Sequence, residues 1–245
     1  MYQSIINNQN QILLDEASHT YTLQGSNIEF KSVTEFISLF FQPFNEKKIA
    51  EKLTRLEKYR GQNVTDILQN WEQRRKRGTI VHQEIESSIL SLNKLNNLSY
   101  KTDDFQDLDA KSKQGLLFLE KCNIYKNNII FPEVKIYSKE LQLAGTIDLM
   151  IYNKPKNCIS LIDWKTNLEI KKTGYKKGTL NPTKTVDDCS FNRYELQLSM
   201  YQHILEKYYQ ATVNGLYIVH LKENNSQHIQ CLFQENKILE MLDFT

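Results

Sequence analysis

The chain has few of the residues that break or cross-link a fold. It contains 8 Gly and 4 Pro among 245 residues, so no long disordered linker is evident. Its 4 Cys stand far apart, without the spacing of a zinc or iron–sulfur site, and free thiols suit a reducing compartment. The longest apolar run, 36–41, is too short to span a membrane, and the N-terminus lacks the features of a signal peptide. We therefore expect a cytoplasmic protein without a membrane partner.

The overall composition sets the size of the fold but not its function. The hydrophobic fraction of 40%, with 13 Tyr and 11 Phe, is enough for a sizeable core. The length suits one large domain, or one domain with an added lobe. A net charge of +2 does not by itself indicate or exclude nucleic acid.

Hydrophobic periodicity changes from helical to strand-like at about residue 129. Before it, the sequence predicts a hairpin over 11–23, a helix after the capping motif Ser32–Glu35, and helices over 46–58, from 64, over 80–92 and over 115–121. After it, we expect strands over 130–137, 143–152, 158–165, 216–221 and 228–233, with helices over 193–209 and 237–242. This order predicts an α/β fold with a central mixed sheet flanked by helices. A mostly helical N-terminal lobe over 1–70 would join a core over 71–245 in one compact unit.

Two acids and an amine are expected to converge on one hairpin. If the turn is 154–157, counting back along both strands places Asp148 directly opposite Asp163. Lys165 lies two residues beyond Asp163, so it shares that face. Two carboxylates close together in a half-buried place are costly without a cation between them. The pattern therefore predicts a metal site, and the neighbouring amine suggests an anionic substrate.

Glu133 has two interpretations of equal weight. With a turn centred on Lys139-Glu140, Glu133 would face Thr146 and lie diagonally from Asp148. A register error of one residue would turn its side chain to the other face. It is then an ordinary edge-strand acid facing solvent.

Other candidate residues lie on helices or beside the acids. His82 is a lone helical histidine, and such residues are more often structural than ligands. Gln197 and Tyr201 are four residues apart, so they share a helix face. Gly145 lies inside a strand pattern, which indicates a bulge or a close backbone approach.

Two basic groups adjoin these segments. One precedes His82 and contains Arg74, Arg75, Lys76 and Arg77; the other occupies the long loop 166–190 and contains Lys171, Lys172, Lys176, Lys177 and Lys184. Charge runs are usually solvated faces. Because both groups adjoin the candidate site, we favour phosphate contacts.

The ordered set of motifs resembles the PD-(D/E)XK nuclease superfamily. The motifs are Gly78-x-x-x-His82, Glu133, Gly145-x-x-Asp148, Asp163-Trp164-Lys165 and Gln197-x-x-x-Tyr201. Within the superfamily the set is most similar to the RecB-like branch, which includes phage-type and mitochondrial genome maintenance exonucleases. The resemblance covers roughly residues 71–221 and implies a restriction-endonuclease-like core.

The resemblance implies a role for each candidate residue. Mg²⁺ or Mn²⁺ would be held by Asp148, Asp163, the Trp164 carbonyl and His82, with Glu133 ligating or supporting the ligands. Lys165 would orient or activate the attacking water and stabilise developing charge. Gln197 and Tyr201 would contact DNA or support the site. Two departures are the lack of a Pro before Asp148 and the lack of the four-Cys pattern, so no iron–sulfur cluster is expected.

The expected function is hydrolysis of DNA phosphodiester bonds, as an exonuclease for ends or single strands in repair, recombination or replication. The basic residues Arg74, Arg75, Arg77, Lys171, Lys172, Lys176 and Lys177 would bind the strand. A recombination or replication protein would be a further partner, in a bacterial or phage-infected cell. A structure-selective endonuclease, an RNA nuclease, a non-catalytic nucleic-acid-binding module and a structural protein with buried ion pairs are the alternatives.

Overall fold

A computed structural model describes residues 2–15, 18, 20–94 and 107–244. They form an α/β fold in which one mixed, open sheet of eight strands is flanked by helices. In the described part of the chain, no helix combines the length and apolar character needed to cross a bilayer.

The N-terminal segment contains strands as well as helices. Helix α1 (Tyr2–Gln9) precedes β1 (Ile12–Asp15) and β2 (Thr20–Leu23), which form the expected hairpin. Strand β3 (Glu29–Ser32) then leads into α2 (Val33–Ser38). The Ser32 hydroxyl accepts a hydrogen bond from the Glu35 amide (3.1 Å), as the capping motif predicts. Neither α1 nor β3 was expected from the sequence.

A single long helix replaces two predicted ones. After α3 (Glu46–Leu53) and a 3₁₀ turn at Glu57–Tyr59, α4 runs from Val64 to Lys94. The predicted start of a separate helix at residue 80 is wrong. The helix continues through Gly78, because glycine inside a helix costs only about 1 kcal/mol relative to alanine. The predicted boundary between residues 70 and 71 also lies inside α4.

The strands after α5 (Ala110–Lys121) form the centre of the sheet. They are β4 (Asn128–Ser138), β5 (Leu143–Asn153), β6 (Cys158–Lys165), β7 (Val213–Leu221) and β8 (Ser226–Cys231). The main path has the order β1-β2-β3-β5-β6-β7-β8, and β4 pairs with β5 from outside this path. The predicted strands are thus present, each with slightly different bounds except 158–165.

One edge of β5 is shared by two strands. Strand β4 pairs along the first edge, whereas β3 pairs in parallel with residues 143–144 and β6 pairs antiparallel with residues 149–153 on the other. Residues 145–148 therefore have no ladder partner on that second edge. This gap in the sheet is where the candidate site lies.

Helices cover both faces of the sheet and form two cores. Helix α6 (Ser190–Tyr209) packs on one face with α2 and α7 (Glu235–Phe244), and α4 and α5 pack on the other. The first core includes Leu196, Met200, Ile204, Leu161 and Ile218; the second includes Val81, Ile85, Leu116, Leu149 and Val219. The site residues are therefore held between two packed layers.

Candidate functional site

The Asp148 side chain lies where the ladder between β5 and β6 ends. The ladder ends with Leu149 opposite Ile162, and the same register extended by one position sets Asp148 opposite Asp163, as predicted. The Asp148 Oδ2 accepts a hydrogen bond of 2.7 Å from the backbone amide of Trp164. The carboxylate thus satisfies a strand amide that the gap in the sheet leaves without a backbone partner.

Glu133 projects toward the site and has an unusual backbone. Its neighbours pair with Leu149 and Ile147, so Glu133 lies opposite Asp148 and not opposite Thr146 as predicted. The turn between β4 and β5 is centred one residue later than predicted. This shift moves the partner of Glu133 by two positions along β5, so its side chain stays on the predicted face of the sheet. Its φ of +49° lies in the left-handed region. Such a conformation costs a non-glycine residue of the order of 1–3 kcal/mol, and inside a strand rather than in a turn it is a feature found at functional sites.

His82 completes a group of three candidate ligands from three elements. Its Nδ1 lies 3.7 Å from Asp148 Oδ2 and 4.0 Å from Glu133 Oε1. One ligand atom from each residue lies within 4.8 Å of the other two. The lone histidine of α4 is therefore beside two carboxylates, which favours the ligand interpretation over the structural one.

Asp163 and Lys165 form a buried ion pair next to this group. Asp163 is 2% exposed, and Lys165 Nζ lies 2.6 Å from its Oδ2. Among the described residues, no donor other than Lys165 reaches that oxygen. Lys165 Nζ also lies 4.5 Å from the centre of the Tyr194 ring, a favourable cation–π contact.

Burial and crowding of charge shift the pKa values of these groups. Burial raises the pKa of Asp163; Lys165 opposes this shift and Asp148 adds to it. Burial raises the pKa of Glu133 as well, and the Asp148 charge raises it further. For Lys165, burial lowers the pKa, but Asp163 and Asp148 outweigh it, so the net pKa is raised. Without a cation the carboxylates repel one another, while the ammonium stays charged at neutral pH.

Helix α6 supports Asp163 from the sheet face that it covers. Gln197 Nε2 lies 3.5 Å from Asp163 Oδ1 and donates a 3.1 Å hydrogen bond to the Tyr201 hydroxyl. The Tyr201 ring packs on Gly145, where an added Cβ would lie 2.5 Å from its Cε1 atom. Gly145 therefore marks a close approach, one of the two predicted possibilities. Gln197 and Tyr201 are 9% and 3% exposed, so they support the site from within.

Sequence reasoning missed the residues that hold the chain after Lys165. The Lys111 ammonium donates a 2.7 Å hydrogen bond to the Thr166 carbonyl, and His220 Nε2 lies 2.6 Å from the Asn167 carbonyl. His220 neighbours Lys165 in the parallel ladder between β6 and β7. Only this pairing between distant segments indicates that His220 lies near the site, and a local sequence pattern does not reveal it.

A groove of about 810 Å³ adjoins the site. Its lining residues come from α4, α5, the segment before α3, the chain after β6 and the turn between β7 and β8. They are Phe44, Trp71, Arg74, Arg75, Arg77, Gly78, Thr79, Lys111, Thr166, Asn167, Leu168, Glu169, Lys171 and Glu223. Five of these are basic and two are acidic, so the groove favours an anionic ligand.

The basic residues predicted to bind DNA divide into paired and unpaired ones. Arg77 forms ion pairs with Asp109 and Glu223, and Arg75 with Glu46 and Glu72. In contrast, Arg74 and Lys171 form no ion pair with any described residue. Arg75 and Arg77 thus serve first to join elements of this chain. Arg74 and Lys171 carry the positive charge that no acid of the described residues neutralises.

The lysines further along the loop 166–190 have other neighbours. Lys177 forms an ion pair with Asp187, Lys176 donates a hydrogen bond to Gln42, and Lys172 lies 5.5 Å from the centre of the Phe191 ring. None of the three lines the groove. Their contact with DNA stays a prediction.

The residues present fit a hard divalent cation. Two carboxylates and one imidazole converge, and Asp163 adds a buried carboxylate that is paired with Lys165. Oxygen ligands suit Mg²⁺ and Mn²⁺, and one histidine is compatible with Mn²⁺. Trp164 presents its amide to Asp148, so the role of its carbonyl stays a prediction. Compared with models of known families and with curated proteins, the sequence matches none.

Proposed function

We propose that this protein is a metal-dependent DNA nuclease with a restriction-endonuclease-like core, acting as an exonuclease on DNA ends or single strands. The observation that carries the proposal is the convergence of His82, Glu133 and Asp148 beside the Asp163–Lys165 ion pair, next to a basic groove. Each of these residues belongs to the motif set that resembles the RecB-like nucleases.

Each group at the site has a chemical task. His82, Glu133, Asp148 and Asp163 would hold Mg²⁺ or Mn²⁺, which supplies an acidified water and a Lewis acid for phosphodiester hydrolysis. Lys165 contributes a fixed positive charge where the phosphate gains negative charge. Gln197 and Tyr201 keep the Asp163 carboxylate in place from α6. The groove residues Arg74 and Lys171 attract the phosphate backbone.

The test is cleavage of end-labelled single-stranded and duplex DNA and of closed circles, with Mn²⁺ or Mg²⁺. We expect linear DNA to be degraded and circles to be spared, and Asp163→Ala to lose at least a hundredfold in rate. The proposal fails if all DNA stays intact, or if Asp163→Ala is as active as the wild type. Cut circles would favour a structure-selective endonuclease, and cleavage of RNA alone an RNA nuclease.

A non-catalytic nucleic-acid-binding module is distinguished by calorimetry. The nuclease should bind Mn²⁺, and Asp148→Ala should weaken that binding at least tenfold. A degenerate module should bind DNA without any Mn²⁺ binding that depends on Asp148.

A further inference from the structure

Two aromatic rings lie together in the groove, away from the candidate ligands. The ring centres of Phe44 and Trp71 are 5.7 Å apart, and both residues line the groove. Phe44 is 64% exposed. An open aromatic surface beside basic side chains has the chemistry that binds the bases of a single nucleic-acid strand.

The aromatic pair is held in place by neighbouring ion pairs. Arg75 lies on α4 one turn after Trp71, and it donates a 2.7 Å hydrogen bond to Glu46, two residues after Phe44. It also donates a 2.8 Å hydrogen bond to Glu72. Since the contact with Glu46 joins the start of α3 to α4, and Glu72 orients Arg75 from within α4, the two rings are positioned before any ligand binds. A preformed surface loses less entropy on binding than a mobile one.

Trp71, the member of the pair that belongs to α4, lies on the same face of that helix as the candidate ligand His82. Trp71, Gly78 and His82 are separated by seven and four residues, so all three lie close to one line along the helix. Between them, an added Cβ on Gly78 would lie 3.1 Å from Thr166 Oγ1, directly after Lys165. The eleven residues from Trp71 to His82 correspond to a rise of about 16 Å.

We propose that Trp71 stacks on one base of a single DNA strand, with the Phe44 ring, tilted by 45° from that of Trp71, against the edge of the base. This contact fixes the distance between that base and the bond that is cut. The inference rests on the proposed function and adds a binding subsite to it. A span of about 16 Å corresponds to about five stacked nucleotides at 3.4 Å each. For a strand that runs straight along α4, the cut therefore falls about five nucleotides from the stacked base, and fewer if the strand is more extended, whatever the base sequence.

The binding test uses the full-length protein in EDTA, so that the DNA stays intact. A set of single strands carries 2-aminopurine, each strand at a different position, and the fluorescence of this base falls when it stacks. Fluorescence anisotropy gives the affinity. We expect quenching to peak at one position. Trp71→Ala should remove that peak and weaken binding about 5- to 100-fold, whereas Trp71→Phe should retain most of both.

Phe244→Ala is the matched control. Phe244 is 49% exposed and lies beside another ring, Phe40, but it belongs to α7 and does not line the groove. It should leave both quenching and affinity unchanged. The inference is overturned if Trp71→Ala keeps the peak, if the Phe244 variant loses it equally, or if the wild type binds no single strand.

Cleavage with Mn²⁺ separates the two proposals. Wild-type first products should fall within a narrow range of lengths, and Trp71→Ala should broaden that range. If DNA is cut but Trp71→Ala changes neither affinity nor cut positions, the stacking subsite is wrong and the nuclease proposal stands. If the quenching peak depends on Trp71 but no DNA is cut, the nuclease proposal is wrong and the stacking subsite stands.

Discussion

Glu133→Gln is expected to stabilise the metal-free protein while removing its stabilisation by metal. The Glu133 side chain is 29% exposed and faces Asp148. Burial, followed by the Asp148 charge, raises the pKa of Glu133 from 4.5 to about 9. Glutamine keeps the size of the side chain and cannot ionise, so the folded protein no longer has to take up a proton at this position.

The sign and size of the effect follow from the two pKa values. Because the folded-state pKa of Glu133 is raised, its contribution to stability is complete below pH 4.5 and is lost progressively as pH rises toward about 9. At pH 7, which is roughly 2.5 units above the unfolded-state pKa, the free energy of unfolding has fallen by an amount of the order of 3 kcal/mol. The Gln variant should therefore match the wild type at pH 4.5 and exceed it at pH 7, with a Tm higher by about 6–12 °C.

Thermal unfolding with and without Mn²⁺ measures both effects. At a hundredfold excess over Kd, Mn²⁺ should stabilise the wild type by about 2.7 kcal/mol and the Gln variant far less. The control is Glu140→Gln, in the turn between β4 and β5, where the side chain is 68% exposed. The reasoning is refuted if Glu133→Gln gains no stability at pH 7, or if Mn²⁺ stabilises it as much as the wild type.

Three further substitutions test the packing around the site. Gly145→Ala should destabilise the fold by about 1–3 kcal/mol in urea unfolding, because its Cβ would lie 2.5 Å from the Tyr201 ring. Gly78→Ala should change stability by less than about 1 kcal/mol in the same assay, since alanine favours the helix and its Cβ meets only Thr166 Oγ1; equal losses in both would contradict the packing argument. Lys111→Met should lower the cleavage rate severalfold with unchanged Mn²⁺ affinity, because the Thr166 carbonyl loses its hydrogen-bond donor. A loss of Mn²⁺ binding in calorimetry would contradict this role for Lys111.

Local patterns predicted the register between β5 and β6 because the contacts between these two strands are local. Strands β5 and β6 form a hairpin, so their register follows from one short turn and the period of two. That argument correctly placed Asp148 opposite Asp163. In contrast, β3 pairs with β5 more than a hundred residues later, and nothing in its four residues indicates that partner. The gap in the sheet that holds the site depends on this distant pairing.

The position of Glu133 depended on a turn that the sequence does not define sharply. The turn after β4 contains neither Gly nor Pro, and its left-handed residue is Gln142. A sequence pattern therefore gives no reason to prefer one centre over the next. The left-handed backbone of Glu133 was also hidden, because no glycine marks it. The ten paired positions of the surrounding ladder offset the free-energy cost of this backbone conformation.

The four basic residues before His82 show which properties of a charge run can be predicted from the sequence. The sequence presents Arg74 to Arg77 as one group, but a helix turns by about 100° per residue, so neighbouring side chains diverge. Arg77 thereby meets Asp109 and Glu223, whereas Arg75 meets Glu46. These acids lie 29 to 146 residues away in sequence. The spacing of the run thus predicts where each side chain points, but only the folded partners decide which charge stays available to a phosphate.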